Sequence, residues 1–192
     1  MRKAYLERET LETKITVEIN LEGSGKYQID TGIGFLDHML TLLAFHGGID
    51  LTVNCRGDLK VDEHHSVEDL GLTLGQVFLK ALGERKGIKR YASLYLPMDE
   101  SLCRVALDIS GRPYLVYDVD FKGEKVGEIS TQNFKEFFKS FVNEARMTLH
   151  IQVLYGENDH HKIEAVFKAF ARALKEASAV VSDYPASSKG VL

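Results

Sequence analysis

The chain has 192 residues, 44% of them hydrophobic and 27% charged, which is typical of one folded domain or two small ones. Its formal net charge of -4 argues against a general nucleic-acid binder, which usually carries a basic face. Cys55 and Cys103 are too few and too far apart for a disulfide framework or a zinc knuckle. The start lacks the apolar core of a signal peptide, and no run approaches ~18 apolar residues, so the expected location is the cytoplasm.

The first half of the chain predicts an alternation of strands and helices. Residues 13–21, "TKITVEINL", alternate apolar and polar side chains and predict a half-buried strand. "YQID" predicts a second short strand, and "GFLDHMLTLLAFHGG" has helical spacing that ends at two glycines. "IDLTVNC" predicts another strand, and residues 64–82 predict a helix that ends near Gly83.

The same order of elements returns after "GERKGIKR". Three predicted strands, "YASLYLPM", "LCRVALDIS" and "YLVYDVDF", precede a helix capped by Thr131, a strand in "RMTLHIQVLY" and a helix from His160 to about Ala179. The second half therefore reads as a degenerate copy of the first, with residues 1–90 and 91–192 as the two repeats. Helices segregated to one face of mainly antiparallel sheets predict an α+β fold, and the absence of a linker predicts that the halves pack together.

Two related motifs, "VDEHHSVEDLG" and "ENDHHKIEAVF", use four of the seven histidines. On a helix, residues three or four apart share a face, whereas neighbours point apart. The second histidine and the glutamate of each motif are therefore predicted to face one ion, and the first histidine another. The residues are His64, His65 and Glu68 in the first motif and His160, His161 and Glu164 in the second. One such motif would indicate surface polar residues in a first helical turn, but the repetition favours metal binding.

Two further histidines lie in apolar surroundings, His38 in "GFLDHML" and His150 in "MTLHIQV". Each alone is typical of a hydrogen-bonded core histidine. With the motifs, however, they give six imidazoles and two carboxylates, enough for two sites of four ligands. An octahedral ion with four protein ligands keeps two open positions, which a catalytic site needs and a structural site does not. So many imidazoles would by themselves favour zinc.

Long strings of the sequence resemble the imidazoleglycerol-phosphate dehydratases, the histidine-biosynthesis enzymes, over essentially the whole chain. They are "DTGIGFLDHML", "DEHHSVEDLG", "SGRPYL", "ARMTLHIQVLYGENDHHKIEAVFKA" and "SSKGVL". The resemblance implies a duplicated half-domain, each half a four-stranded, mostly antiparallel sheet with two helices on one face, like the second domain of ribosomal protein S5. It also implies a homo-oligomeric shell of 24 subunits with active sites between subunits, and no nucleic-acid or membrane partner.

The resemblance further implies two manganese ions (Mn²⁺) per active site, held by all eight candidate ligands. One ion is expected to take His38, His65, Glu68 and His160. The other is expected to take His64, His150, His161 and Glu164.

The implied reaction is the manganese-dependent dehydration of imidazole glycerol phosphate to imidazole acetol phosphate, the work of a hydro-lyase. A metal-bound imidazolate would expel the side-chain hydroxyl through a diazafulvene-like intermediate, and a base would then remove the carbon-bound proton. The resemblance assigns the phosphate to Arg90, Arg112, Ser188 and Lys189. It assigns further substrate contacts to His46 and Lys162, and an acid/base role to Glu12, with Glu12 and His46 as the catalytic residues.

Simpler interpretations stand beside these assignments. Glu12 alone indicates a solvated strand residue, His46 a helix C-terminal residue, and the segment with Ser188 and Lys189 a disordered tail. Three acidic residues are predicted to orient ligand imidazoles, namely Asp37, Glu63 and Asp69. Two other functions fit part of the pattern: a two-metal hydrolase, which usually uses more aspartate ligands, and a metal-storage shell, which needs no phosphate site.

Overall fold

The structure, a computed structural model, describes residues 2–190 and holds two four-stranded sheets and four helices. The first half contains β1 (Lys3–Glu9), β2 (Thr13–Asn20), β3 (Tyr27–Asp30), α1 (Gly34–Gly47), β4 (Asp50–Gly57) and α2 (His64–Leu82). The second contains β5 (Tyr91–Met98), β6 (Ser101–Asp108), β7 (Tyr114–Asp118), the short β8 (Lys125–Val126) and β9 (Ile129–Ser130), α3 (Thr131–Ala145), β10 (Thr148–Tyr155) and α4 (Asp159–Ser178). Over these residues, no helix is long and apolar enough to cross a membrane.

The two large sheets have the same topology. Their strand orders are β1-β2-β4-β3 and β5-β6-β10-β7. In each sheet two neighbouring pairs are antiparallel, and the last pair, β4 with β3 or β10 with β7, is parallel. The predicted α+β repeat of mostly antiparallel four-stranded sheets is confirmed. The chain passes from one sheet to the other between Leu82 and Tyr91, and the division at residue 90 stays a proposal.

The four helices form two inner layers between the sheets. Helix α2 packs on β1, β2 and β4, and α1 on β3 and β4, whereas α4 packs on β5, β6 and β10, and α3 on β7. Across the middle, α1 contacts α4 and α2 contacts α3. Both halves therefore contribute to one continuous core, and this brings residues of α1 beside residues of α4.

Strand β1 is the main element that the sequence pattern missed. It pairs with β2 in regular antiparallel register, from Lys3 opposite Asn20 to Glu9 opposite Lys14. Only Ala4 is fully buried on this strand, and Leu6 is half-buried, because the strand lies at the sheet edge. Two weakly apolar positions among charged neighbours give little periodic signal.

Two glycines let α2 approach α3 closely. A Cβ atom on Gly71 would lie 2.7 Å from the carbonyl oxygen of Phe137, and one on Gly75 would lie 2.5 Å from that of Phe141. Such contacts are shorter than real Cβ atoms make, so only glycine fits at this separation of the helices. The Phe78 and Phe141 rings then pack 5.7 Å apart between centroids across the same interface.

Candidate metal centre and substrate pockets

Both histidine motifs begin a helix, as predicted. In α4 the side-chain oxygen of Asn158 accepts hydrogen bonds from the backbone N–H groups of His160 and His161, at 2.9 and 3.4 Å. In α2 the carboxylate of Asp62 accepts from the N–H of His64 at 2.8 Å. The backbone N–H groups of the first helical turn have no acceptors within the helix. These side chains supply acceptors for some of them and so fix the positions of the histidines.

Three of the predicted ligands form a cluster within this single chain. His38 of α1 meets His160 and Glu164 of α4, with one ligand atom from each lying within 4.8 Å of the other two. The Nε2 atom of His38 is 3.1 Å from Oε1 of Glu164, and the two imidazole centroids are 6.0 Å apart. Phe35 lies edge-on to both rings, with centroids 6.3 Å from His38 and 5.2 Å from His160. Two imidazoles and a carboxylate at this spacing suit a divalent cation.

The contacts within this chain group the ligands differently from the predicted partition, which stays a prediction. The prediction paired the second histidine of each motif with its glutamate, but the structure pairs the first. His160 and Glu164 share the cluster, and in the other motif Nε2 of His64 is 3.4 Å from Oε2 of Glu68. Residues four apart and residues three apart both share a helix face, so the spacing alone could not decide between them. Within this chain, Glu164 therefore lies beside His38 and His160.

The second histidine of each motif contacts a carboxylate through Nδ1. In His65 this atom lies 3.0 Å from Oδ2 of Asp58, and in His161 it lies 2.7 Å from Oε2 of Glu100. These hydrogen bonds raise the pKa of both histidines above the ordinary value. The same contact, with two backbone N–H donors, holds the pKa of Glu100 well below its usual range. Neither acidic residue was singled out by the sequence analysis, because both lie in loops beside the motifs.

Of the three acidic residues expected to orient imidazoles, Asp37 and Asp69 contact other groups, and only Glu63 reaches an imidazole, through a neighbouring amide. Asp37 accepts from the N–H and hydroxyl of Thr31, at 2.9 and 2.6 Å. Asp69 accepts from the Arg8 guanidinium and the Thr13 hydroxyl, at 2.8 and 2.5 Å. Glu63 accepts from the backbone N–H of Ser130 and the amide of Asn133. Asn133 in turn lies 2.9 Å from Nδ1 of His64, so Glu63 supports a ligand imidazole only through this amide.

His150 lies apart from the other predicted ligands of the chain. On β10 its neighbours Leu149 and Ile151 are fully buried against the helices, whereas His150 is exposed on the opposite face of the sheet. It stands opposite Ala106 and Val116 of the adjacent strands. Alternate residues of a strand point to opposite faces, and the motif helices cover the inner one. His150 could therefore serve an ion only at a contact with another molecule.

The four predicted phosphate ligands are brought together. Arg90, Arg112, Ser188 and Lys189 line one cavity of about 650 Å³, together with neighbouring residues of the tail. The Arg112 side chain is 70% exposed, which leaves it free to meet a ligand. The tail is therefore folded against the second sheet in this structure.

Arg90 anchors this pocket. Its guanidinium makes two hydrogen bonds to the Asp108 carboxylate, at 2.6 and 3.1 Å, and a third to the carbonyl oxygen of Ala186 at 2.7 Å. It also lies over the Tyr91 ring, 4.5 Å from the centroid. The ion pair with Asp108 raises the pKa of Arg90 above its usual range. Arg90 thus ties the tail to β6 besides adding positive charge.

A second cationic pocket adjoins the metal-ligand cluster. His46 lines a cavity of about 650 Å³ with Tyr95, Arg172 and Lys175. Burial lowers the pKa of His46, and the positive charges of Lys168 and Arg172 lower it further. The Lys168 ammonium is 3.4 Å from Oε2 of Glu164, which links this pocket to the cluster. Of the residues that line this pocket, only His46 was predicted from the sequence as a site residue.

Glu12 lies in the turn between β1 and β2, near the first motif. Its backbone N–H donates to the Thr10 hydroxyl at 3.1 Å, and its carbonyl accepts from the N–H of Asp58 at 3.1 Å. Its carboxylate is 54% exposed and lies 3.8 Å from Nε2 of His65. The backbone of Glu12 is held while its carboxylate stays open to solvent beside a predicted metal ligand.

Lys162, a predicted substrate contact, is buried and paired in this structure. Its side chain is only 6% exposed. The ammonium donates to the carbonyl of Asp120 at 2.8 Å and to the carboxylate of Asp159 at 2.9 Å. Asp159 also accepts from the backbone N–H groups of Lys122 and Gly123. Lys162 therefore fastens α4 to the loop after β7, and its charge is used inside the protein.

The fold and the site together define a repeated α+β protein with a candidate histidine–glutamate metal centre and two cationic pockets. The family model described as imidazoleglycerol-phosphate dehydratase matches residues 31–174. The chain therefore belongs to the imidazoleglycerol-phosphate dehydratase family, whose members are hydro-lyases of histidine biosynthesis.

Similar proteins agree over the full length. The chain is 65% identical to an imidazoleglycerol-phosphate dehydratase of Clostridioides difficile, covering 100% of both chains. It is 54% identical to that of Caldicellulosiruptor saccharolyticus, covering 100% of this chain and 98% of the relative. The solved enzyme of Staphylococcus aureus superposes with a TM-score of 0.83 at 43% identity, covering 91% of this chain and 97% of that one. The enzyme of Pyrococcus furiosus, solved in complex with (S)-C348, gives 0.86 at 40% identity, covering 97% and 100%.

Proposed function

We propose that this chain removes water from imidazole glycerol phosphate to give imidazole acetol phosphate, and that it does so with two Mn²⁺ ions. The observation that carries the metal-dependent part is the cluster of His38, His160 and Glu164, which meets the donor requirement of a divalent cation within one chain. When bound, the ions would supply positive charge beside the nitrogens of the substrate ring. The choice of manganese rests on the family resemblance.

Among the described residues, the remaining predicted ligands do not form a second complete site. His64 pairs with Glu68, whereas His65 and His161 each present Nε2 beside a carboxylate. We propose that a second molecule completes these partial sites, as expected for an active site between subunits. The assembly of 24 subunits is part of this proposal, and a cytoplasmic location stays a prediction from the sequence.

We propose that Glu12 is the general acid/base. The reaction breaks the bond from carbon to the side-chain hydroxyl and removes a proton from the neighbouring carbon, so the enol formed becomes a ketone. A carboxylate on an otherwise fixed turn can approach the glycerol chain and exchange these protons. The exposed position of Glu12, 3.8 Å from a predicted metal ligand, supports this role.

Two cationic pockets are available for one phosphate. One holds the predicted ligands Arg90, Arg112, Ser188 and Lys189. The other holds His46 with Arg172 and Lys175, and Lys168 joins it to the metal-ligand cluster. Arginine forks and lysine ammonium groups both suit a phosphate. We propose that His46 binds substrate beside the cluster and that the tail pocket reaches the same phosphate from a neighbouring subunit. Lys162 is left out because its ammonium is buried.

The test removes and restores the metal. Protein treated with a chelator should lose dehydratase activity, and Mn²⁺ should restore it. Product analysis must follow both the ketone and free phosphate, because a two-metal hydrolase would release phosphate from the same substrate. Full turnover in metal-free protein, or release of phosphate without ketone, would overturn the proposal. Metal uptake with neither product would favour a storage protein.

A further inference from the structure

The second histidine of each motif has the same polar surroundings in both halves. Nδ1 faces a carboxylate, 3.0 Å away at Asp58 for His65 and 2.7 Å away at Glu100 for His161. Nε2 points the other way, toward a more exposed carboxylate 3.8 Å distant, which belongs to Glu12 or to Asp99. A neutral imidazole donates from one nitrogen and accepts with the other, so a carboxylate at Nδ1 selects the tautomer with the proton on Nδ1.

The Glu100 carboxylate is itself fixed, and the backbone that carries Asp58 is held in place. Oε1 of Glu100 accepts from the backbone N–H groups of Glu157 and Asn158, at 3.1 and 2.8 Å, so this side chain is tied to the loop that begins α4. The backbone N–H of Asp58 donates to the carbonyl of Glu12, which ties its loop to the β1–β2 turn. A fixed acceptor holds the ring plane as well as the tautomer.

The two carboxylates come from unrelated places in the repeat. Asp58 directly follows β4, whereas Glu100 lies in the hairpin between β5 and β6. If the contact were merely inherited from a duplicated half, it would come from equivalent loops. Different loops supply a carboxylate to Nδ1 of the histidine in each half. We therefore infer that both histidines need a carboxylate at this nitrogen.

We propose that Asp58 and Glu100 are positioning residues that hold His65 and His161 with Nε2 free to bind a divalent cation. This inference rests on the proposed metal-dependent function, because it assigns Nε2 as the ligand atom. Removing a hydrogen-bond partner of a metal-bound histidine typically weakens metal binding by roughly 10- to 100-fold. We expect losses in this range, larger for alanine than for the isosteric amide, since an amide oxygen still accepts from Nδ1–H.

The experiment measures Mn²⁺ binding to chelator-treated protein by calorimetry. The variants are Asp58→Asn, Asp58→Ala, Glu100→Gln and Glu100→Ala, with Asp58→Glu and Glu100→Asp as conservative replacements that should recover part of the affinity. Asp30→Asn and Glu22→Gln are matched controls. Each removes one carboxylate from an exposed ion pair, with Arg56 at 2.6 Å or Arg2 at 3.3 Å, and neither touches an imidazole. The control variants should bind Mn²⁺ as the unchanged protein does.

The outcomes separate this inference from the proposed function. Binding by the unchanged protein and the controls, with graded loss in the Asp58 and Glu100 variants, supports it. Equal binding in all variants overturns the positioning role and leaves the metal centre standing. No binding by the unchanged protein overturns both. Thermal unfolding of the metal-free variants gives the structural readout, and if affinity falls only in proportion to stability, the positioning role is also overturned. Should the alanine variants fail to fold, the amide variants decide.

Discussion

Replacing Lys162 with methionine separates a structural role from a role in substrate binding. Methionine keeps most of the aliphatic stem and removes the ammonium. The Asp159 carboxylate, with a side chain 13% exposed, would then face a largely buried site without its cation. Breaking a buried pair by deleting one partner costs about 3–5 kcal/mol. Asp159 keeps its two backbone N–H donors, at 2.9 and 2.8 Å, so the lower end, about 3 kcal/mol, is expected.

The assay combines unfolding with kinetics. In a chain of this length, about 3 kcal/mol corresponds to a fall in melting temperature of about 6–12 °C. Below that transition, the KM of Lys162→Met should stay near that of the unchanged enzyme. Lys189→Met is the opposite case, because it deletes an exposed cation of the tail pocket. It should raise KM by roughly 10- to 100-fold, as for a lost hydrogen bond to a charged group, with little change in melting temperature. A Lys162→Met enzyme of unchanged stability and raised KM would refute the structural role.

Three other results are expected. Glu12→Gln should lower kcat by roughly 10²–10⁴-fold while Mn²⁺ binding is retained, and near-normal turnover would remove Glu12 from the acid/base role. His38→Ala should reduce the Mn²⁺ content measured by atomic absorption, and His150→Ala should reduce it only in the assembled protein, so an unchanged content in assembled His150→Ala protein would show that the outer sheet face carries no ligand. Chelation should reduce the particle mass seen by light scattering, and added Mn²⁺ should restore it, because an ion bound across a subunit boundary favours assembly by mass action. A mass that is independent of metal would place the ion within one subunit.

Much of the fold could be predicted because the periodic elements are long. The two motif helices and the repeated succession of strands and helices follow from apolar spacing and from the resemblance of the two halves. The sequence could not decide the geometry at positions where one pattern is compatible with several arrangements. On a helix a glutamate can share a face with a histidine either three or four residues before it, and the structure places Glu164 beside His160, four residues before it.

The site was predicted best where residue type restricts the role. Arg90, Arg112 and Lys189 converge on one pocket, and Arg112 and Lys189 keep their charged groups exposed there. Lys162 has the same charge, but whether a lysine is buried depends on the loop that passes over it, here through Asp120 and Asp159. Asp58 and Glu100 escaped notice for the same reason. Acidic residues are common in loops, and only the fold reveals which of them meet an imidazole.

The close contact of α2 with α3 through Gly71 and Gly75 bears on how such a protein could arise. The inner helices of each half are covered by the helices of the other half. A half made alone would therefore expose Phe78 or Phe141 to water. If one half were encoded alone, it would therefore need a second copy to cover this face. The same geometry suits a split enzyme made of two fragments divided between α2 and β5. The core would be covered only when the two fragments associate, so the pair is a candidate reporter of protein proximity.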